Sequence, residues 1–194
     1  MLPSFQPCRL AILQVAFVAP ATCAHVAFAE TMSGEVVGLA DGDTVTVLDA
    51  SKVQHRIRLA GIDAPEKKQA FGERSRQSLS DLVFRKQVTV EYTKTDRYGR
   101  IVGKVVANGR DVSLAQVQRG LAWHYKAYER DQTLADRTQY SQAESSAREA
   151  HVGLWRDQRP TAPWDYRKCQ RSKDACNTVA KTAESSGLHT VQRR

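Results

Sequence analysis

The chain has 194 residues, 41% hydrophobic and 26% charged, which suits one folded domain with appendages and excludes a disordered polymer. Lys and Arg number 29 against 21 Asp and Glu, so the formal net charge of +8 draws polyanions to the surface. Charge alone does not name the polyanion, and a plainly basic soluble surface is the alternative.

Residues 1–29 read as a secretory leader. Arg9 is the only charge before Glu30, Leu10 to Val18 is apolar, and Ala27-Phe28-Ala29 carries the small-x-small pattern that places a cut after Ala29. The apolar run falls short of the about 20 residues that span a bilayer. The expectation is a secreted or periplasmic protein without a stable membrane span after cleavage, with a retained anchor as the alternative.

Glu35 to Ala40, Thr44 to Leu48 and Val53 to Ile62 alternate or run apolar with β-branched residues, which predicts three strands, the first two joined by the turn Asp41-Gly42-Asp43. Leu79, Leu82 and Val83 share one stripe of a helix over Ala70 to Arg85. Val88 to Tyr92 and Ile101 to Ala107 are further strands, the second ended by Asn108-Gly109. Ser113 to Arg119 predicts a short helix stopped by Gly120, and Ala143, Ala147 and Ala150 mark one face of a last helix closed by Gly153. Pro160 and Pro163, with Trp164 and Tyr166, mark its exit. Residues 30–167 thus form the folded domain, and 168–194 read as a polar, flexible tail. Five strands and about three helices make the class α+β, a five-stranded OB-type β-barrel packed by helices.

Cys8 and Cys23 leave with the leader, so the mature chain keeps Cys169 and Cys176. In an oxidising compartment these two either form a small-loop disulfide or stay unpaired thiols. Zinc is disfavoured, because no second Cys pair or His pair lies at metal spacing.

Asp43 and Asp63 lie at strand edges that become neighbours if the first three strands form a meander. Carboxylates gathered in one place repel, but they suit a hard divalent cation such as calcium, held with a backbone carbonyl and waters. Alone, Asp-Gly-Asp would be a plain Asx turn. Glu66 follows Pro65 and is a candidate general base for a water aimed at phosphorus; the plain alternative is an acid near a helix N-terminus. Arg58 shares a strand face with Arg56, opposite Ile57 and Leu59, and Arg100 follows the turn Tyr98-Gly99. An arginine that meets the charge of phosphoryl transfer is worth about 10³ to 10⁵ in rate. An exposed ion pair contributes only about 0 to 1 kcal/mol. Trp123, Tyr125, Lys126 and Tyr128 form a basic-aromatic patch suited to stacking unpaired bases, with a core position as the alternative for Trp123. His124 lacks an evident nucleophile or metal partner and reads as an ordinary histidine.

Four stretches in this order, Asp41-Gly42-Asp43-Thr44, Arg58-Leu59-Ala60-Gly61-Ile62-Asp63-Ala64-Pro65-Glu66, Thr95-Asp96-Arg97-Tyr98-Gly99-Arg100 and Val117-Gln118-Arg119-Gly120-Leu121-Ala122, resemble the staphylococcal nuclease (thermonuclease) family. The resemblance spans Val36 to Trp155. It implies an OB-fold and calcium-dependent hydrolysis of DNA and RNA to 3′-phosphate ends. It also implies Arg58, Glu66 and Arg100 as catalytic residues, with Asp43, Asp63 and the Ala64 carbonyl at the metal. Arg97 and Tyr98 join Tyr125, Lys126 and Tyr128 as substrate contacts, and the expected partner is single-stranded or frayed nucleic acid bound by a monomer with no obligate protein partner. The founding members carry Thr at the position of Ala64, where only a backbone oxygen is needed, and the loop from Lys67 to Glu73 is shorter than in the best-known member. The rival reading is a non-catalytic OB-fold protein that binds single strands, which has no need for both arginines, Glu66 and both aspartates.

Overall fold

Alternating β-branched residues bend the first part of the domain into a closed sheet. The computed structural model describes residues 30–172. Strand β1 (Glu30–Leu39) pairs antiparallel with β2 (Thr44–Asp49), and β2 with β3 (Gln54–Leu59). After a short strand β4 (Ile62–Asp63) comes β5 (Gln87–Thr95), which pairs with the free side of β1, and β6 (Ile101–Ala107) lies beside β5. Parallel pairing of β3 with β6, Arg58 opposite Val102, closes the order β3-β2-β1-β5-β6 into the expected five-stranded OB-type barrel.

The expected strand Val53 to Ile62 is broken. The backbone reverses at Gly61, where φ is +75°, and β4 leaves the barrel to pair with β8 (Trp123–His124), following β7 (Arg110–Asp111) in the chain. Asp63 therefore faces Trp123 across a two-stranded ladder. Strand β1 begins at Glu30 instead of Glu35, and β5 continues to Thr95 instead of ending at Tyr92. The added start of β1 pairs with the expected part of β5, Glu30 opposite Tyr92, and the added Lys94 and Thr95 of β5 pair with Val102 and Ile101 of β6, so ladder hydrogen bonds hold both extensions without an apolar pattern.

Helix α1 (Gly72–Val83) buries Leu79 and Val83 against the barrel core of Val36, Val47, Ile57, Leu59, Val90 and Val105. Helix α2 (Val112–Gln118) is capped by Asp111, whose carboxylate accepts from the Leu114 N–H at 3.1 Å. Helix α3 (Leu134–Glu149) is capped by Thr133 and buries Tyr140, Ala143 and Ala147. Ala150, expected on that face, is instead its exposed C-cap. Trp123 half-buries against Trp155, Leu154 and Ala147 in a second small core, so its core reading holds.

Pro163, expected at the exit of the last helix, also begins a further one. It opens helix α4 (Pro163–Arg171), where proline's missing N–H costs nothing in the first turn. The expected tail thus begins, through Arg171, as helix; residues 173–194 and Cys176 lie outside the described residues. Cys169, on α4, is disulfide-bonded.

Gly120 and Gly153 lie back to back where α2 and α3 end, with φ of +63° and +58°, and the Leu154 N–H donates to the Gly120 carbonyl at 2.8 Å. A Cβ on Gly153 would fall inside the carbonyls of Gly120 and Arg119. Gly153→Ala is expected to destabilise the fold by about 2 to 4 kcal/mol, from left-handed backbone plus overpacking against main chain. A urea midpoint equal to that of the parent contradicts this close approach.

Candidate active site

The site starts from the turn between β1 and β2. The Asp43 N–H donates to the Asp41 carboxylate at 3.1 Å, so the Asx turn is real, and the Leu59 N–H donates to the Asp43 carbonyl at 2.8 Å, tying the turn to β3. Gly42 is required for space: a Cβ there would fall inside the Ser75 hydroxyl and against Ala64. Gln116 of α2, fully buried, donates to the Gly42 carbonyl and to the Ser75 carbonyl, each at 3.0 Å, and accepts from the Ser78 hydroxyl at 2.7 Å. Two helices thereby brace the turn from behind.

Asp43 and Asp63 are nearly sealed from solvent, at 6% and 1% exposure. Arg58, projecting from β3, joins them: its Nη1 is 3.4 Å from Asp43 Oδ2 and its Nη2 3.0 Å from Asp63 Oδ1. The Arg58 Nη1 also donates to the Ile62 carbonyl at 3.0 Å. The Ala64 N–H donates to Asp43 Oδ2 at 3.0 Å, so the two acidic stretches meet at one lip of the barrel. Burial works against the Arg58 charge, but Asp43 and Asp63 outweigh it and hold the guanidinium above its ordinary value. Burial likewise raises Asp63, and burial followed by the Asp43 charge pushes Asp41 up to about 7.

Glu66 stands beside this group, about one third exposed. Its partner was not legible in the motifs. Arg167 of α4 donates from Nη1 to Glu66 Oε1 at 2.7 Å and to Asp63 Oδ1 at 3.2 Å, and from Nη2 to Asp63 Oδ2 at 2.6 Å. The bonds to Asp63 raise the Arg167 guanidinium further.

Arg100 is held by its own turn. Asp96 accepts from the Arg100 Nε at 2.8 Å, and from the N–H groups of Tyr98 and Arg100 at 2.8 and 3.0 Å. The remaining Arg100 Nη1 reaches the Thr44 hydroxyl at 3.4 Å, and that hydroxyl donates to Asp43 Oδ1 at 2.9 Å. Arg100 thus joins the group one hydrogen bond removed, through Thr44.

The expected substrate contacts divide. Tyr98 is exposed, with the guanidinium groups of Arg97 and Arg100 at 4.9 and 5.6 Å from its ring centre. Tyr128 is exposed under Lys94, whose ammonium lies 5.3 Å from the ring centre. Tyr125 packs between Tyr128 and Trp164, and Lys126 pairs with Glu144 of α3 at 3.6 Å. Buried His124 meets Gln132 at 2.9 Å and is an ordinary core histidine.

A divalent ion fits the donors present, which are hard oxygens. Among the described residues no three His, Cys, Asp or Glu side chains form a ready cage, so an ion would rest on Asp43 and Asp63, the Ala64 carbonyl and water. Asp43 and Asp63 meet the Arg58 guanidinium, and Asp63 and Glu66 that of Arg167.

A barrel lip that gathers fixed guanidinium charge beside hard oxygen donors is equipped to meet a charged ester, which places this protein among the phosphodiester hydrolases. Known proteins agree. The staphylococcal nuclease homologue family matches residues 56–157. Protein ParB of Escherichia coli is 44% identical over 154 residues, covering 75% of this chain and 84% of that protein. Micrococcal nuclease of Shigella flexneri is 43% identical over 153 residues, covering 74% and 84%. A Haemophilus influenzae protein bearing the description uncharacterized endonuclease is 40% identical over 136 residues, covering 70% and 73%. The chain belongs to the staphylococcal nuclease family. It is a nuclease, and the rival reading of a binder without hydrolytic activity is set aside.

Asp96→Asn is expected to slow cleavage about 10- to 100-fold, because Arg100 loses the anchor that aims it toward Thr44 and Asp43. Burial opposes ionisation of Asp96, yet the bonds from Arg100 and Tyr98 hold its carboxyl below the ordinary 3.8. A lowered folded value stabilises above the unfolded value and is lost as pH falls through the folded one. The variant should therefore melt lower at pH 7, by about 1 kcal/mol of stability. That gap should close as pH drops below 3.8. A gap unchanged down to the acid limit contradicts the assignment.

Proposed function

We propose that the protein is an exported, calcium-dependent endonuclease that cleaves DNA and RNA to leave 3′-phosphate ends. The carrying observation is Arg58, within 3.4 Å of Asp43 and 3.0 Å of Asp63, while Arg100 reaches the same turn through Thr44. Calcium, when held by Asp43, Asp63 and the Ala64 carbonyl, supplies positive charge beside the reacting phosphate. Glu66 accepts a proton from water as the water oxygen bonds to phosphorus. The bond from phosphorus to the 5′-oxygen breaks, that oxygen takes up a proton, and the phosphate stays on the 3′-oxygen. Arg58 and Arg100 meet the negative charge on the non-bridging oxygens.

Exposed Tyr98 and Tyr128, each beside a cation, support a preference for single-stranded or frayed substrate, since unpaired bases stack on open rings. The leader pattern of residues 1–29 supports export, and among the described residues no helix is long and apolar enough to cross a membrane. The protein acts as a monomer without an obligate protein partner in this reading.

Purified mature protein, incubated with labelled single-stranded DNA and RNA, should cut both with calcium and stop with chelator. Cutting that persists in excess chelator removes the metal from the mechanism. Arg58→Ala and Arg100→Ala should each lose about 10³-fold or more in rate. By circular dichroism Arg100→Ala should stay folded. Arg58→Lys, which keeps a positive charge between the two buried acids, separates lost rate from lost stability at Arg58. A mild slowing would return these arginines to ion pairs without a part in the reaction. Affinity of an inactive variant for single strands should fall along a log–log line with salt, with a slope of about −0.7 per phosphate contacted. A flat response argues against backbone contacts.

A further inference from the structure

Arg167 belongs to none of the motifs that mark the site, yet it is the charged partner of Glu66 and the second guanidinium on Asp63. Helix α4 is fixed over the lip by three contacts. The Gln69 side chain donates to the Thr161 carbonyl at 2.6 Å, Pro163 is buried, and the Trp164 ring lies 5.5 Å from Trp123 and 5.3 Å from Tyr125. The arm is therefore delivered by packed structure.

Its position conflicts with a bound ion. Asp63 Oδ1 already accepts from Arg58 and Arg167, which fills both of its lone pairs, and Oδ2 accepts the short bond from Arg167 Nη2. An ion needs a lone pair at about 2.3 to 2.6 Å. A guanidinium this close also repels it. Of the two arginines on Asp63, only one is built to leave. Arg58 is 16% exposed and also bonded to the Ile62 carbonyl, whereas Arg167 is 35% exposed. Its side-chain hydrogen bonds run to Asp63 and Glu66.

We propose that Arg167 is a further residue of this site, a tethered cation that holds Asp63 and Glu66 while the divalent ion is away and sets the affinity with which that ion binds. The proposal rests on the calcium reading above. An arm that occupies the ligands most of the time lowers the apparent affinity in proportion to the fraction of time they are free. The same displacement frees Glu66, so ion binding and the release of the base are one event.

Calorimetric titration of the metal-free mature protein with calcium chloride tests it. Arg167→Ala should bind calcium about tenfold more tightly than the parent, and Arg167→Lys should fall between, since a point charge replaces the fork. Lys168→Ala removes one charge from the same helix and should leave calcium affinity unchanged. Arg167→Gln, which keeps the stem, serves if the alanine variant fails to fold by circular dichroism. Parent and folded variant binding calcium equally, or the variant more weakly, overturns the proposal and leaves the calcium reading intact. Binding by neither removes the calcium reading and this proposal with it, and an equal gain for Lys168→Ala overturns the proposal by reducing the effect to net charge.

Discussion

Sealing two carboxylates from water at the edge of a barrel is tolerable only if positive charge lies between them, since each buried ion loses several kcal/mol of solvation. Arg58 answers both Asp43 and Asp63 with one guanidinium. Its place follows from sheet register: β3 sets Arg58 opposite Thr44, the residue after Asp43, and the parallel pairing with β6 fixes β3 from its other side. Barrel closure is thus what aims the arginine. The reversal at Gly61 then swings Asp63 back to the same guanidinium, off the barrel and onto the ladder with β8.

Behind that lip lies a polar layer that an apolar core would not need. Gln116 and Ser75 are fully buried, Ser78 nearly so, and their bonds run to each other and to the carbonyl of Gly42. Arg119 closes the layer by donating to the Ser78 hydroxyl at 2.8 Å. A fully satisfied buried network fixes one geometry, because any shift strands a donor in a dry place. Here that rigidity serves the turn that presents Asp43. The stretch Val117 to Ala122, which carries family resemblance without a catalytic side chain, owes its place to the same bracing: Ser75 donates to the Leu121 carbonyl at 2.7 Å, and Gly120 abuts Gly153.

Much of this was legible along the chain. Strand β6 matches its expected bounds, Ile101–Ala107, because alternation and the Asn108-Gly109 turn both mark it. The buried acids and Arg58 were legible because the chemistry is dense in short stretches. Other parts depend on contacts that no local pattern encodes. The polar start of β1 is a strand only because β5 lies beside it. Arg167 meets Asp63 and Glu66 across 104 and 101 residues, in a helix too short and polar to show periodicity. Trp123 reads equally as a stacking surface or as core, and only the rings of Trp155 and Trp164 decide.

The two arginines of the lip are held in different ways, and in the proposed reaction the difference divides their work. Arg58 is bound to carboxylates and a carbonyl that the fold already fixes, so its fork is in place before substrate arrives. Arg100 is anchored to Asp96 within its own turn and touches the rest of the site through a long bond to Thr44. Its ring neighbour, Tyr98, is exposed and lies beside the cations of Arg97 and Arg100. A loosely held Nη with an exposed aromatic beside it is placed to follow the nucleic-acid strand as it enters. A group locked between two acids cannot follow anything, and its charge is worth most where the dielectric is lowest. Preorganised charge at Arg58 and adaptable charge at Arg100 together allow one lip to grip varied sequences while presenting the scissile phosphate in one geometry.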